Sequence, residues 1–184
     1  MGPAEAAIAS ERLLRPGVPD SAAPGSAKVL LVRSAAPPLA SSTLHLVPCG
    51  TDADWARYAD ARVAVEAGLG LDEPAARAMV AGLRARAARL PLQLWLAPGT
   101  DGDPVAAVAA FRLLADPATA RLQEVDVFPG HRGAGRGDAL LEAVRRLLVA
   151  DGVTRLVLGA DEDDWPLSWY RRRGFVPVAR VPRA

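Results

Sequence analysis

The residues best equipped for chemistry lie in one stretch, Val125-Asp-Val-Phe-Pro-Gly-His-Arg-Gly-Ala-Gly-Arg-Gly-Asp-Ala-Leu-Leu141, which reads as a strand, a glycine-rich loop and an amphipathic helix. A loop of this kind aims unpaired backbone N–H groups at one point with the positive end of the helix dipole behind them, which makes a phosphate cradle. Glycine is needed there because a side chain would block the approach of phosphate oxygens to the backbone. Spacing then separates the known cradles. A dinucleotide fingerprint that began at Gly133 and Gly135 would need glycine where Asp138 stands, and a Walker loop would need Lys-Ser/Thr where Arg136 and Gly137 follow Gly135. Neither fits. Strand alternation just upstream puts Leu122, Glu124, Asp126 and Phe128 on one face and Val125 and Val127 on the other, so two carboxylates point the same way.

These groups need elements to hold them. Thr43–Val47 alternates like a half-buried strand that Pro48 to Gly50 end. Asp52 or Asp54 caps a helix whose apolar face is Trp55, Tyr58, Ala59 and Val63, with Gly68 to Gly70 as its stop. A second helix starts near Glu73 with Pro74 in its first turn; Met79, Val80, Leu83, Ala87 and Leu90 line one side, and Arg77, Arg84, Arg86 and Arg89 lie mostly on the other as a solvated face. Leu92–Ala97 and Val105–Leu114 make a hairpin about the Pro98–Pro104 turn cluster. Asp116 and Pro117 end its second strand, and Ala120–Phe128 is the next. A helix from about Gly137 to Ala150, a central strand Arg155–Ala160, a short helix Trp165–Arg173 broken at Gly174, and a final strand or pair over Phe175–Val181 complete the order.

Residues 1 to 41 are rich in Ala, Pro, Gly and Ser, and Pro16, Pro19, Pro24, Pro37 and Pro38 interrupt regular structure. They read as a partly disordered N-terminal arm ahead of a main domain over residues 42–184. Within the arm, Lys28–Arg33 is a candidate short strand that docks on the edge of the main sheet or on a second subunit, which leaves a homodimer open.

Arg132-x-x-Gly135-x-Gly137 after Val127-x-Pro129 resembles the acyl-CoA pyrophosphate loop of the GCN5-related N-acetyltransferase (GNAT) family. Trp169-Tyr170-Arg-Arg-Arg-Gly174-Phe175 resembles that family's second signature, a tyrosine on a short helix four residues before Gly-Phe. The two signatures stand in the right order, separated by the expected helix and strand. The resemblance implies an α/β fold with a mixed, strongly twisted sheet, helices on both faces, and a central parallel pair, Ala120–Phe128 and Arg155–Ala160, that splays apart around acyl-CoA. It implies that pantetheine bonds backbone groups at Val125 and Val127 and that the pyrophosphate sits on Arg132, Gly133, Ala134, Gly135, Arg136 and Gly137. Asp163 takes the place of an asparagine common in the family and joins that cofactor set. Arg136 stands where the family usually has a medium apolar residue, and Asp138 puts a carboxylate in the first helical turn, where it also suits the helix dipole.

Acyl transfer from a thioester to an amine needs a neutral nucleophile, a stabilised oxyanion and a proton for the departing thiolate. Tyr170, with a reference pKa of about 10 against about 8.5 for a thiol, is the candidate acid. Glu124 is the candidate base, with Asp126 as its substitute. Glu66, Asp72 and Glu73, together with Glu124 and Asp126, would suit a cationic acceptor. His131 reads as an exposed loop residue and Cys49 as inert. The expected reaction is transfer from acetyl-CoA to a primary amine of a small molecule or protein; the reading from another class is a catalytically silent CoA-binding regulatory or interaction module.

Composition narrows the remaining classes. Among 184 residues, 51% are hydrophobic, enough for a packed core. A net charge of +1 is too small for binding nucleic acid or an anionic membrane through bulk electrostatics. One cysteine, Cys49, and two histidines, His45 and His131, speak against a disulfide and a structural zinc site, so a reducing, cytoplasmic setting without metal is expected. No apolar run approaches the roughly 18 residues of a membrane span.

Overall fold

The computed structural model describes residues 1–16, 27–36 and 42–183. Its elements are α1 (Pro3–Leu14), β1 (Ala27–Ser34), β2 (Val47–Pro48), α2 (Asp52–Ala67), α3 (Glu73–Arg89), β3 (Leu92–Pro98), β4 (Pro104–Leu113), β5 (Asp116–Val127), α4 (Arg136–Ala150), β6 (Arg155–Asp161), α5 (Trp165–Arg171) and β7 (Val176–Pro182). The strands form a mixed seven-stranded sheet in the order β2-β3-β4-β5-β6-β1-β7. Two compact units are woven from these elements, one of Met1–Ala36, Arg112–Leu122 and Leu148–Ala184, the other of Pro37–Phe111 and Gln123–Leu147.

In the first unit β1 is antiparallel to both β6 and β7, pairing Leu31 with Leu158 on one side and Lys28 with Val181 on the other. This corrects the docking expected for Lys28–Arg33: the strand is internal. Val29, Leu30 and Leu31 are all buried, the continuous apolar run that a strand covered on both faces requires. The expected arm is corrected with it. Pro3 at the first turn starts α1, whose buried face is Ala6, Ala7, Ser10 and Glu11, and α1 and β1 belong to the same compact unit as β6 and β7. The rest of the arm, residues 17–26 and 37–41, lies outside the described residues. β5 and β6 run parallel, as expected, over three pairs, Thr119–Arg121 with Arg155–Val157. β5 starts earlier than predicted, at Asp116, because Leu114 and Ala115 form a two-residue turn straight out of β4.

In the second unit β3 and β4 form the expected antiparallel hairpin, Leu92 facing Phe111. The strand predicted over Thr43–Val47 shrinks to Val47–Pro48, paired with Leu96 and Trp95. Residues 42–46 do alternate between half-buried and exposed, but among the described residues no strand pairs with them. Helix α2 is capped by Thr51, whose Oγ1 accepts from the Asp54 amide while Asp54 Oδ2 accepts from the Thr51 amide, a reciprocal capping box. Helix α3 is capped by Asp72, which accepts from Ala75 at 2.8 Å. Its buried face is Ala76, Val80 and Leu83, while Met79, predicted as core, is 47% exposed.

Candidate active site

The loop after β5 is held by backbone hydrogen bonds, most of them local. Phe128 donates to Val105 O, His131 to Phe128 O at 3.0 Å, Arg136 to Gly133 O and Ala139 to Gly135 O. Three consecutive residues, Gly133, Ala134 and Gly135, have φ of 79°, 46° and 73°. Positive φ at three consecutive residues makes a tight left-handed turn, a backbone conformation that glycine adopts without cost. The amides of Arg132, Gly133, Ala134 and Gly135 donate to no protein acceptor among the described residues. A Cβ placed on Gly133 or Gly135 would meet no atom within 4 Å, so packing does not call for glycine there; the backbone turn does. Two arginine side chains brace the loop: Arg132 Nε donates to Val127 O at 3.0 Å and Arg136 Nη1 to His131 O at 2.9 Å. The unusual Arg136 is thus a strut for the turn before α4. Donor-rich and open, the cradle fits a diphosphate.

Glu124 lies upstream in the same unit with φ of 48°, a left-handed non-glycine residue inside a strand. Strict alternation did not foresee this kink, yet Glu124 and Asp126 do converge. Arg62 on α2 meets Asp126 Oδ2 at 2.5 Å, Glu124 Oε2 at 4.0 Å and the carboxylate of Glu66. The fully buried Tyr58, one turn earlier on α2, donates its hydroxyl to Glu124 Oε2 at 3.1 Å. Burial pushes the Glu124 carboxyl above its usual range, and the charge of Asp126 adds to the push; Arg62, Tyr58 and Arg86 pull the other way without cancelling it. Burial likewise raises the Tyr58 phenol well above its usual value, helped by the charges of Glu124 and Asp126, so Tyr58 remains a hydrogen-bond donor.

A cleft of about 560 Å³ opens beside Glu124, walled by α3 residues that include Ala78, Met79, Leu83 and Arg86. The acidic acceptor surface expected from five carboxylates is largely spent within the protein. Glu66 and Asp126 are held by Arg62, Asp72 caps α3, and Glu73 pairs with Arg77 at 2.7 Å. Glu124 is the carboxylate that lines the cleft. Arg86, read as part of a solvated helix face, lines it too; Met79, Gly82, Leu83 and Arg86 share helical spacing, a signal the sequence carried. Tyr58 and Arg62 were missed because an apolar-face residue and a helical arginine look like ordinary packing and solvation.

The first unit holds Tyr170. Helix α5 starts at Asp164, whose Oδ1 accepts from Trp165 N at 2.7 Å, and the Tyr170 carbonyl accepts from Arg173 and Phe175 as the helix closes. The Tyr170 ring is buried edge-on between Trp169 and Phe175, with centroids 4.9 and 5.6 Å away. This explains the Tyr-x-x-x-Gly-Phe spacing: Gly174, at φ 79°, turns the chain so that Phe175 packs on the phenol ring. Tyr170 lies within electrostatic reach of Arg121, buried on β5. Asp163, placed by the resemblance in the cofactor set, holds Arg183 through both oxygens at 2.8 and 3.1 Å.

His131 is half-buried beside a smaller cleft of about 300 Å³ with Asp60 and Asp103. Burial pushes the Cys49 thiol up to about 11, and Asp54 reinforces it, which leaves little nucleophilic thiolate near neutrality. Among the described residues no three metal-ligating side chains cluster, and no helix is long and apolar enough to cross a membrane.

No curated protein matches the chain. Among solved structures, an acetyltransferase of the GNAT family from Colwellia psychrerythraea has a TM-score of 0.64 at 15% identity, covering 88% of this chain and 56% of that one. A GCN5-related N-acetyltransferase from Sphaerobacter thermophilus gives 0.59 at 19% identity, with 95% and 54% covered. One from Ralstonia eutropha gives 0.51 at 24%, with 73% and 93% covered. The chain thus spans little more than half the length of the first two, and at these identities the likeness establishes the fold. A model of the acetyltransferase (GNAT) family matches residues 63–175, more than half of the chain and the part that carries Glu124, the glycine loop and Tyr170. The chain belongs to the GNAT acetyltransferase family.

Proposed function

We propose that the chain transfers an acetyl group from acetyl-CoA to a primary amine by direct attack in a ternary complex. The observation that carries this reading is the loop Arg132–Gly135, with orphan amides and consecutive left-handed residues at the head of α4. Those amides and that of Gly137 would hold the diphosphate, and backbone groups of Val125 and Val127 would hold the pantetheine arm. The Val127 carbonyl already accepts one bond from Arg132 and keeps a second lone pair. Bound acetyl-CoA supplies an activated thioester carbonyl.

Glu124 takes a proton from the acceptor ammonium, directly or through water, and its raised pKa suits a base that must work near neutrality. The freed nitrogen bonds to the carbonyl carbon, the carbon–sulfur bond breaks, and the nitrogen loses its second proton to solvent as the amide forms. A backbone N–H near Val127 stabilises the oxyanion. Tyr170 gives its proton to the departing sulfur and regains one from solvent, to which Glu124 returns the proton it took. The products are the N-acetylated amine and free CoA.

Release of free thiol from acetyl-CoA across a panel of amines tests the reading. Tyr170→Phe keeps the ring packing and should lower kcat by about 10²-fold or more, the usual worth of a positioned acid. CoA binding with no thiol release from any amine would instead favour the silent module. Gly135→Val is expected to weaken CoA binding at least about tenfold by calorimetry, because a β-branched residue resists φ of 73°. It should stay folded, since the added Cβ has open space. Unchanged affinity would remove the diphosphate from this loop.

A further inference from the structure

Resting on the acetyltransferase reading, we propose that the acceptor is a zwitterion, an α-amino acid with an apolar side chain or a compound of that shape, whose ammonium goes to Glu124 and whose carboxylate goes to Arg86. Both residues line the 560 Å³ cleft, where Glu124 accepts one hydrogen bond from Tyr58 and keeps further acceptor capacity for a ligand. Arg77 and Arg84, on the same helix, are paired with Glu73, Asp60 and Asp52. The Arg86 guanidinium makes no hydrogen bond or ion pair among the described residues. It is half-buried and leans back over Gly82, its Nη1 4.0 Å from where a Gly82 Cβ would sit. Its guanidinium thus keeps a planar fork of donors that matches a carboxylate.

Glu124 and Arg86 do not pair with each other, although the charge of Arg86 is felt at Glu124. A ligand carrying both signs can satisfy the two at once; a polyamine would meet an unanswered cation at Arg86. Between the charges the wall is apolar and small. Ala75, Ala78 and Met79 are exposed there, and Gly82 sits in the middle of α3 despite a helix cost of about 1 kcal/mol relative to Ala. A Cβ at Gly82 would touch nothing closer than Arg86, so packing does not explain the glycine, whereas a low wall for a side chain does.

Calorimetry on the full chain decides. L-phenylalanine is compared with 2-phenylethylamine, which is the same molecule without its carboxylate, and with spermidine. L-phenylalanine should bind at least about tenfold more tightly than either. Arg86→Gln should remove about ten- to hundredfold of that affinity, the worth of a charge-assisted pair, and leave 2-phenylethylamine within about twofold. Arg86→Lys should recover part of the loss. Equal binding of the amino acid and the amine, no binding of either, or an amino-acid affinity indifferent to Arg86→Gln overturns the proposal. CoA titrated into the same samples judges the parent reading separately. CoA binding without carboxylate discrimination sinks the zwitterion alone, and amino-acid binding without CoA binding sinks the acetyl transfer alone.

Discussion

Glu124→Gln should lower kcat by about 10²–10³-fold, within the range a positioned base contributes, with a much smaller change in KM for acetyl-CoA. The amide keeps an oxygen that can accept the Tyr58 hydroxyl, so the local bond and the packing survive. What disappears is the proton acceptor. The residual rate should then follow the fraction of acceptor already present as free amine and climb about tenfold per pH unit below an ammonium pKa near 10. A variant within threefold of the parent would end the assignment of Glu124 as base.

The neighbouring carboxylate gives the same idea a sign. Glu124 must be ionised to act, so its raised pKa places the acid limb of the rate profile above the usual carboxylate range. Asp126 is one cause of that elevation, and it also holds Arg62 at 2.5 Å. Asp126→Asn removes a negative charge and leaves Arg62 more available to Glu124. Both effects favour the ionised form, and the acid limb should move to lower pH. A limb that moves up, or stays, would place the titration on another group.

Local pattern predicts only what local interactions decide. The loop and its helix were legible because glycines spaced for a left-handed turn leave few other meanings, and the family signatures followed from them. The convergence of Glu124 and Asp126 was legible from a period of two, although the kink at Glu124 was not. Helix α1 escaped notice because its buried face is Ala6, Ala7, Ser10 and Glu11, which has no apolar periodicity. That face makes sense only against a buried arginine distant in the chain. Likewise the carboxylates read as an acceptor surface lost that role to arginine partners and helix ends, which composition cannot reveal. A glycine inside β6 did carry a message: a Cβ on Gly159 would come within 2.9 Å of Arg121 Nη2 and 2.8 Å of Lys28 Cδ.

Arg121→Met should destabilise the chain by about 3 kcal/mol or more, the cost of stripping one partner from a buried ion pair, and lower Tm by roughly 6–12 °C for a chain this size. Arg121 and Glu11 are 1% and 2% exposed and meet at 2.6 Å, with Ser10 Oγ accepting a further bond at 3.2 Å. Burial pushes the Glu11 carboxyl up, and the charges of Arg121, Lys28 and Arg15 more than offset it, leaving the pKa below its usual range. A depressed carboxyl stabilises the fold above its unfolded pKa and stops doing so as pH falls through the folded value, so this cluster should contribute to unfolding in acid. Arg121→Met leaves Glu11 with weaker partners, and the variant should lose that stability at neutral pH as well. Joining it to Glu11→Leu should recover at least half of the loss, because an apolar pair of similar volume escapes the desolvation that the ions suffer. A single variant within 1 kcal/mol of the parent in chemical denaturation would show that α1 is not anchored through this pair.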